Sequence, residues 1–180
     1  MVSGMNSMRP LPDHWSLVEE HIHRLTYDGQ ATREYRSFRK NFSPELALLR
    51  TDYRFVARVT LQHSSGSEGL PSEERALALI QIEESDLEGI IRDSPAVHVA
   101  TADVGWQRDL LLYGRDQDEI SKRLTGFCRK HVSFLASASL FGDPSWFEYD
   151  TFPRTYSNWG TSMDPAARWK MQMQQRPPRS

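Results

Sequence analysis

The order in which the hydrophobic period changes along the chain constrains its fold more than any other feature. From Tyr53 to Gln62 the residues alternate, with Tyr53, Phe55, Ala57, Val59 and Leu61 on one face and Arg54, Arg58 and Thr60 on the other. That is the period of a strand with one side buried. From Ser72 to about Arg92 the apolar residues recur at helical spacing. Ser72 can cap this helix, and Glu73 and Glu74 suit the positive end of its dipole. Ala96–Ala102 and Trp106–Tyr113 return to strand alternation about a turn at Gly105. Asp116–His131 reads as a second helix, and Phe134–Phe141, small and apolar, as a last strand. The order β-α-β-β-α-β predicts an α+β fold with a ferredoxin-like antiparallel sheet. Right-handed crossovers would place both helices on one face of it, with Tyr53–Gln62 central.

Ahead of this unit, Trp15–Tyr27 and Ala31–Phe38 read as two strands joined at Asp28-Gly29, where glycine supplies the positive φ of a tight turn. This added N-terminal β-hairpin would extend the sheet or cover part of it. Asn41–Leu49 suggests a short helix behind Ser43-Pro44. Asp143-Pro144 resembles a cap followed by proline at the first helical position, opening a short turn with Trp146, Phe147 and Tyr149. The expected division is a flexible lead over 1–14, a single α+β domain over 15–153, and a polar tail over 154–180 in which Asp164-Pro165 could open a short helix. The 180 residues suffice for a core without staples.

Cys128 is the sole cysteine, so an intramolecular disulfide framework and any multi-cysteine metal site are excluded. No apolar run reaches the ~20 residues of a membrane span, and Met1–Pro12 contains no apolar core of a secretory signal. A cytoplasmic protein without a membrane partner is the expectation. Charge is unevenly spread, at +2 over residues 1–62, −9 over 63–120 and +5 over 121–180. An acidic middle argues against a nucleic-acid binder with one continuous basic stripe and allows an acidic face that meets a basic partner.

On a helical projection of Ser72–Arg92, the residues Ala76, Leu79, Ile80, Leu87, Ile90 and Ile91 fall on one arc, with Glu83 inside it. A carboxylate there needs a partner, a water or a proton, because burying it bare costs several kcal/mol. Arg108 shares its strand face with Trp106, Leu110 and Leu112 and is the obvious partner. In the second helix, Cys128 and His131 are neighbours one turn apart, with no third group in view. Cys128 reads as a small buried hydrophobe and His131 as a residue closing off the last carbonyls. His21 and His23 would share a strand face, but no third metal ligand lies nearby. Phosphate loop, nucleophile elbow and HExxH motif are all missing from the sequence. The expectation is no catalytic residue, no metal and no cofactor.

Leu70-Pro71-Ser72-x-Glu74, Ile82-Glu83, Gly105-x-x-Arg108-Asp109 leading to Tyr113, and Asp143-Pro144-x-Trp146-x-x-Tyr149 together resemble the domain-of-unknown-function family six-nine-five. That family is similar in fold to the RraB-type regulators of bacterial ribonuclease E, which are small acidic ferredoxin-like proteins. The resemblance covers about residues 15–153, and its Asp-Pro-x-Trp-x-x-Tyr end is the most specific part. It implies a fold rather than an activity, and it sets Glu83 and Arg108 on motif positions.

Two kinds of function remain open. One is a non-enzymatic protein-binding or regulatory module whose first helix presents Glu74, Glu84 and Glu88 to a basic protein surface. A bacterial toxin-neutralising immunity protein would be a special case. The other is a small-ligand-binding protein or hydrolase with a pocket around Glu83, Arg108, Trp146 and Tyr149.

Overall fold

The computed structural model describes residues 14–25, 31–63, 71–92 and 96–154, with backbone alone for 21–25 and 31–33. The elements are β1 (Trp15–Leu25), β2 (Ala31–Asn41), α1 (Glu45–Leu49), β3 (Phe55–Gln62), α2 (Glu73–Gln81), a π-helical turn (Ile82–Leu87), α3 (Glu88–Arg92), β4 (Ala96–Val104), β5 (Gln107–Gly114), α4 (Gln117–Lys130), β6 (Ser137–Gly142) and α5 (Phe147–Thr151). This is an α+β architecture on one six-stranded sheet ordered β1-β2-β4-β5-β3-β6. Every neighbouring pair is antiparallel. β3 and β4 therefore run the same way with β5 between them. Gly105 turns β4 into β5 at φ 61°, in the left-handed region that favours glycine. No helix among the described residues is long and apolar enough to cross a membrane.

Alternation along the strands sends two sets of side chains to opposite faces. On one face Ala57, Val59, Leu61, Leu110 and Leu112 pack with Leu79, Ile82 and Leu87 and with Ile120, Leu124 and Phe127 of α4. On the other, Val56, Leu111, Tyr113, Ala102 and Phe38 pack with Leu46, Trp146, Tyr149 and Phe152. Asp116 caps α4 as the sequence suggests, its carboxylate accepting from the Glu119 N–H at 3.0 Å.

The second layer corrects the expectation that β3 buries one side only. Arg58 and Thr60 are buried too. Arg58 reaches Glu148 at 3.2 Å and Thr60 donates to Asp109 at 2.7 Å. The chain following β6 returns under the sheet and supplies this cover. Asp143 is its anchor, accepting from the Tyr113 hydroxyl at 2.5 Å and from the N–H groups of Phe147 and Glu148 at 3.1 and 2.9 Å. Asp143 thus caps α5 from a distance, and Pro144 stands before the helix rather than at its first position. Trp146, fully buried, lies against Tyr113 with ring centroids 4.1 Å apart and donates its indole N–H to the Tyr53 carbonyl at 2.7 Å.

The last strand also differs from expectation. Val132–Phe134 form a short 3-10 turn and Leu135 turns the chain at φ 45°, so β6 begins at Ser137 rather than Phe134. Asp28-Gly29 and Asp164-Pro165 lie outside the described residues, as does most of the Ser/Gly segment after His63.

Replacing Trp146 with alanine removes a fully buried ring and leaves the Tyr53 carbonyl without its donor. We expect Trp146→Ala to lower unfolding free energy by about 3–5 kcal/mol, measured by urea denaturation. A loss below ~1 kcal/mol would show that the second layer does not close the domain.

Candidate functional site

Antiparallel register sets a polar row across three strands. Arg39 on β2 lies opposite Thr101 on β4, and Asp103 on β4 lies opposite Arg108 on β5. Directly opposed residues share a face, and this face is the one that α2 and α4 cover. Glu83 reaches it from the π-helical turn. Its Oε2 accepts from Arg39 Nη2 at 2.7 Å and Arg108 Nη1 at 3.3 Å, and its Oε1 accepts from the Thr101 hydroxyl at 3.3 Å. Arg108 also grips Asp103 in bidentate fashion, at 2.6 and 3.1 Å. The Glu83 and Arg108 side chains are 13% and 11% exposed.

The π-helical turn accounts for this placement. Its i→i+5 bonds take more residues per turn than an α-helix, so the arc drawn for a regular helix does not hold beyond Gln81. Ile82, outside that arc, is buried, as the wide turn requires. Ile80, inside the arc but before the wide turn, is exposed, so the arc is incomplete within α2 as well. Glu83 is left at the border of the apolar stripe, over the polar row.

His98 extends the cluster through a bulge in β4 between His98 and Ala100. Its ring lies 5.1 Å from that of Trp15. Its Nε2 is 3.0 Å from the Ala100 carbonyl and 2.9 Å from the Thr101 hydroxyl. A carbonyl oxygen only accepts, so this contact requires the proton on Nε2. The Thr101 hydroxyl then accepts from His98 and donates to Glu83.

Burial by itself would raise the Glu83 carboxyl pKa. The Arg39 and Arg108 guanidinium groups outweigh it and hold the carboxyl below its ordinary range. Burial lowers His98, against the pull of Glu83. Glu83 is therefore a committed carboxylate and His98 a neutral imidazole.

The structure brings Glu83 and Arg108 together and separates them from Trp146 and Tyr149. The latter two belong to the opposite layer, beneath Tyr113 and Val56. A pocket lined by all four is not formed, because the sheet stands between the pairs. Trp146 and Tyr149 are core residues, with the Tyr149 hydroxyl donating to the Asn41 carbonyl at 2.7 Å. Cys128 and His131 also diverge. Cys128 lines a groove between α4 and β6, its thiol pKa raised by burial. His131 lies with Nε2 2.9 Å from the Asp86 carboxylate in the π-helical turn. The side chains of His21 and His23 lie outside the described residues.

Glu74, Glu84 and Glu88 are exposed, as expected for the outer side of the first helix. Glu88 is bonded by Arg92 at 3.3 Å. Sequence reasoning missed Leu77 and Ile80, which are 62% and 43% exposed on the same helix. It also missed Arg39, Thr101, Asp103 and His98. No local signal ties these four to Glu83, since only the strand order brings β2 beside β4. Comparison of the chain with protein-family models, with curated proteins and with solved structures gives no match.

Two outcomes follow from the cluster. Arg108→Ala strips Asp103 of its bidentate partner while Glu83 keeps Arg39. We expect a loss of about 2–3 kcal/mol, less than for a fully buried pair because Asp103 can take up water. A thermal shift near zero would show that the cluster is energetically idle.

The second outcome concerns acid. Glu83 is held below its ordinary 4.5. Its contribution to stability is therefore complete above 4.5 and is lost as the pH falls through the folded value. Burial depresses His63, His98 and His131 below their ordinary 6.5. They act in the same direction but begin at 6.5. Urea titrations across a pH series should show stability falling first below 6.5 and again below 4.5. Glu83→Gln should flatten the second stage and, by removing the pull that partly offsets burial at His98, deepen the first. Stability that rises on acidifying through 6.5 would contradict this assignment.

Proposed function

We propose that the protein is a non-enzymatic protein-binding or regulatory module, acting in the cytoplasm, that presents the outer face of α2, the π-helical turn and α3 to a basic protein surface. One observation carries the reading. The internal carboxylates Glu83, Asp103, Asp109, Asp143 and Glu148 are engaged within the fold, and Glu74, Glu84 and Glu88, the last bonded by Arg92, are exposed beside the exposed Leu77 and Ile80. Apolar side chains rimmed by one sign of charge mark a contact surface. Such a surface speeds encounter with the opposite charge.

The fold reading belongs with this proposal. We infer that β3 to β6 with α2–α3 and α4 form a ferredoxin-like unit and that β1–β2 is an added hairpin. The order β4-β5-β3-β6 and the packing of both helices into one apolar cluster support it. The motif resemblance to family six-nine-five, similar in fold to RraB-type regulators, bears on this fold reading rather than on an activity. A toxin-neutralising immunity protein is the same mechanism with a different basic partner.

The test starts with a partner captured from native extract. Reversing Glu74, Glu84 and Glu88 together to lysine should slow its association about tenfold at low salt without changing the unfolding midpoint. The defect should shrink as salt screens the charges. Salt-independent binding, or unchanged binding by the triple variant, would remove this face from the account. Ester, phosphate or nucleotide hydrolysis abolished by Glu83→Gln would overturn the non-enzymatic reading.

A further inference from the structure

The two edges of the sheet differ. β1 carries the exposed carboxylates Glu19 and Glu20, the kind of charge that keeps an edge strand from pairing further. β6, at the other edge, reads Ser-Ala-Ser-Leu-Phe-Gly. It has no charge and no proline, and its register with β3 runs without a bulge. Among the described residues, none of the usual edge protection is present along Ser137–Leu140. Beside this stretch lies a groove of about 310 Å³ between β6 and α4, with Leu124, Cys128, Ala138 and Leu140 along it and Thr125 and Arg129 on the helix side.

Arg129 lines the groove, and helical spacing puts Lys122 on the same stripe of α4. Lys122 and Arg129 are exposed and stand seven residues apart on α4, so about 10 Å apart along one stripe. Neither has a carboxylate partner among the described ion pairs. On an extended chain, residues i and i+4 lie on one face about 13 Å apart. A strand added beside β6 with an acidic residue at each of those positions, and an apolar one midway, would set both charges near the two cations and its apolar side chain into the groove. A second copy fits this site less well. Pairing β6 with its own equivalent would oppose two basic stripes about the two-fold axis.

We propose that Ser137–Leu140 of β6 is a β-augmentation site for an extended acidic segment of a partner protein, of pattern Asp/Glu-x-apolar-x-Asp/Glu. Main-chain bonds supply the pairing, and Leu124, Leu140, Lys122 and Arg129 supply the selection. This site is separate from the acidic face of α2, so either can stand without the other.

The test uses the full chain and a fluorescent synthetic peptide with the core Asp-Thr-Val-Thr-Asp, read by anisotropy at low ionic strength. The peptide should bind saturably, and amide exchange should slow along Ser137–Leu140. Methylating alternate peptide amides on the pairing edge should abolish binding with the protein unaltered. The Lys122→Glu, Arg129→Glu double variant should weaken the acidic peptide about tenfold and accept its lysine counterpart instead. The proposal falls if the peptide shows no saturable binding, if methylation leaves binding unchanged, or if the lysine peptide binds the native chain equally well. It also falls if the chain sediments as a dimer that Ser139→Pro converts to monomer, since a second copy would then own the edge.

Discussion

Both faces of one sheet have to be kept from water, and the rest of the molecule follows from that requirement. β3 and β5 are interior strands buried on both sides. Helices α2 and α4 can cover only one side. The other is closed by the short elements α1 and α5, held to each other by the Arg50–Asp150 ion pair. Any polar side chain on a doubly buried strand then needs a partner within the fold, since a bare buried charge is not tolerated. Arg58 with Glu148 and Thr60 with Asp109 meet that condition. The polar row beneath Glu83 meets it on the helix side.

Such clusters contribute less to net stability than their many bonds suggest, because well-packed apolar residues of the same volume often do as well. Their effect is greater on alternatives. With β2 shifted by one residue against β4, Arg39 would leave the face that Glu83 occupies, and alternation would carry a neighbour there instead. A slipped sheet would therefore cost Glu83 the Arg39 guanidinium, the shorter of its two ion pairs.

Periodicity made the strands and both main helices legible, because each buries a continuous apolar stripe. It also made Glu83 and Arg108 legible as a pair, since a charge inside an apolar pattern has few ways to be satisfied. What it missed has two physical sources. Long-range strand order decides which charges meet, so Arg39 and Asp103 were invisible. Cover supplied from far along the chain decides whether a polar face is wet, so Arg58 and Thr60 read as solvent-facing although Glu148 of α5 meets the first and the cross-strand Asp109 the second. The motif around Trp146 was legible by its residue types as aromatics that close the domain, and only the ligand-binding alternative placed it at a pocket. The left-handed backbone of Trp146, at φ 57°, instead turns the ring into the core.

The π-helical turn also bears on how tolerant the chain is to changes in its length. Substitution at any one position in Ile82–Leu87 alters a single side chain. Loss of one residue there would remove the extra length that the wide turn accommodates. The turn would then close as an ordinary α turn, with the flanking helices keeping their register and side chains inside it rotated by up to about 100°. That rotation would re-aim Glu83 relative to Arg39 and Arg108, or Asp86 relative to His131, with the amino acids themselves unchanged. Spacing in this segment is therefore a property as functional as composition, and relatives compared by residue type alone would conceal it.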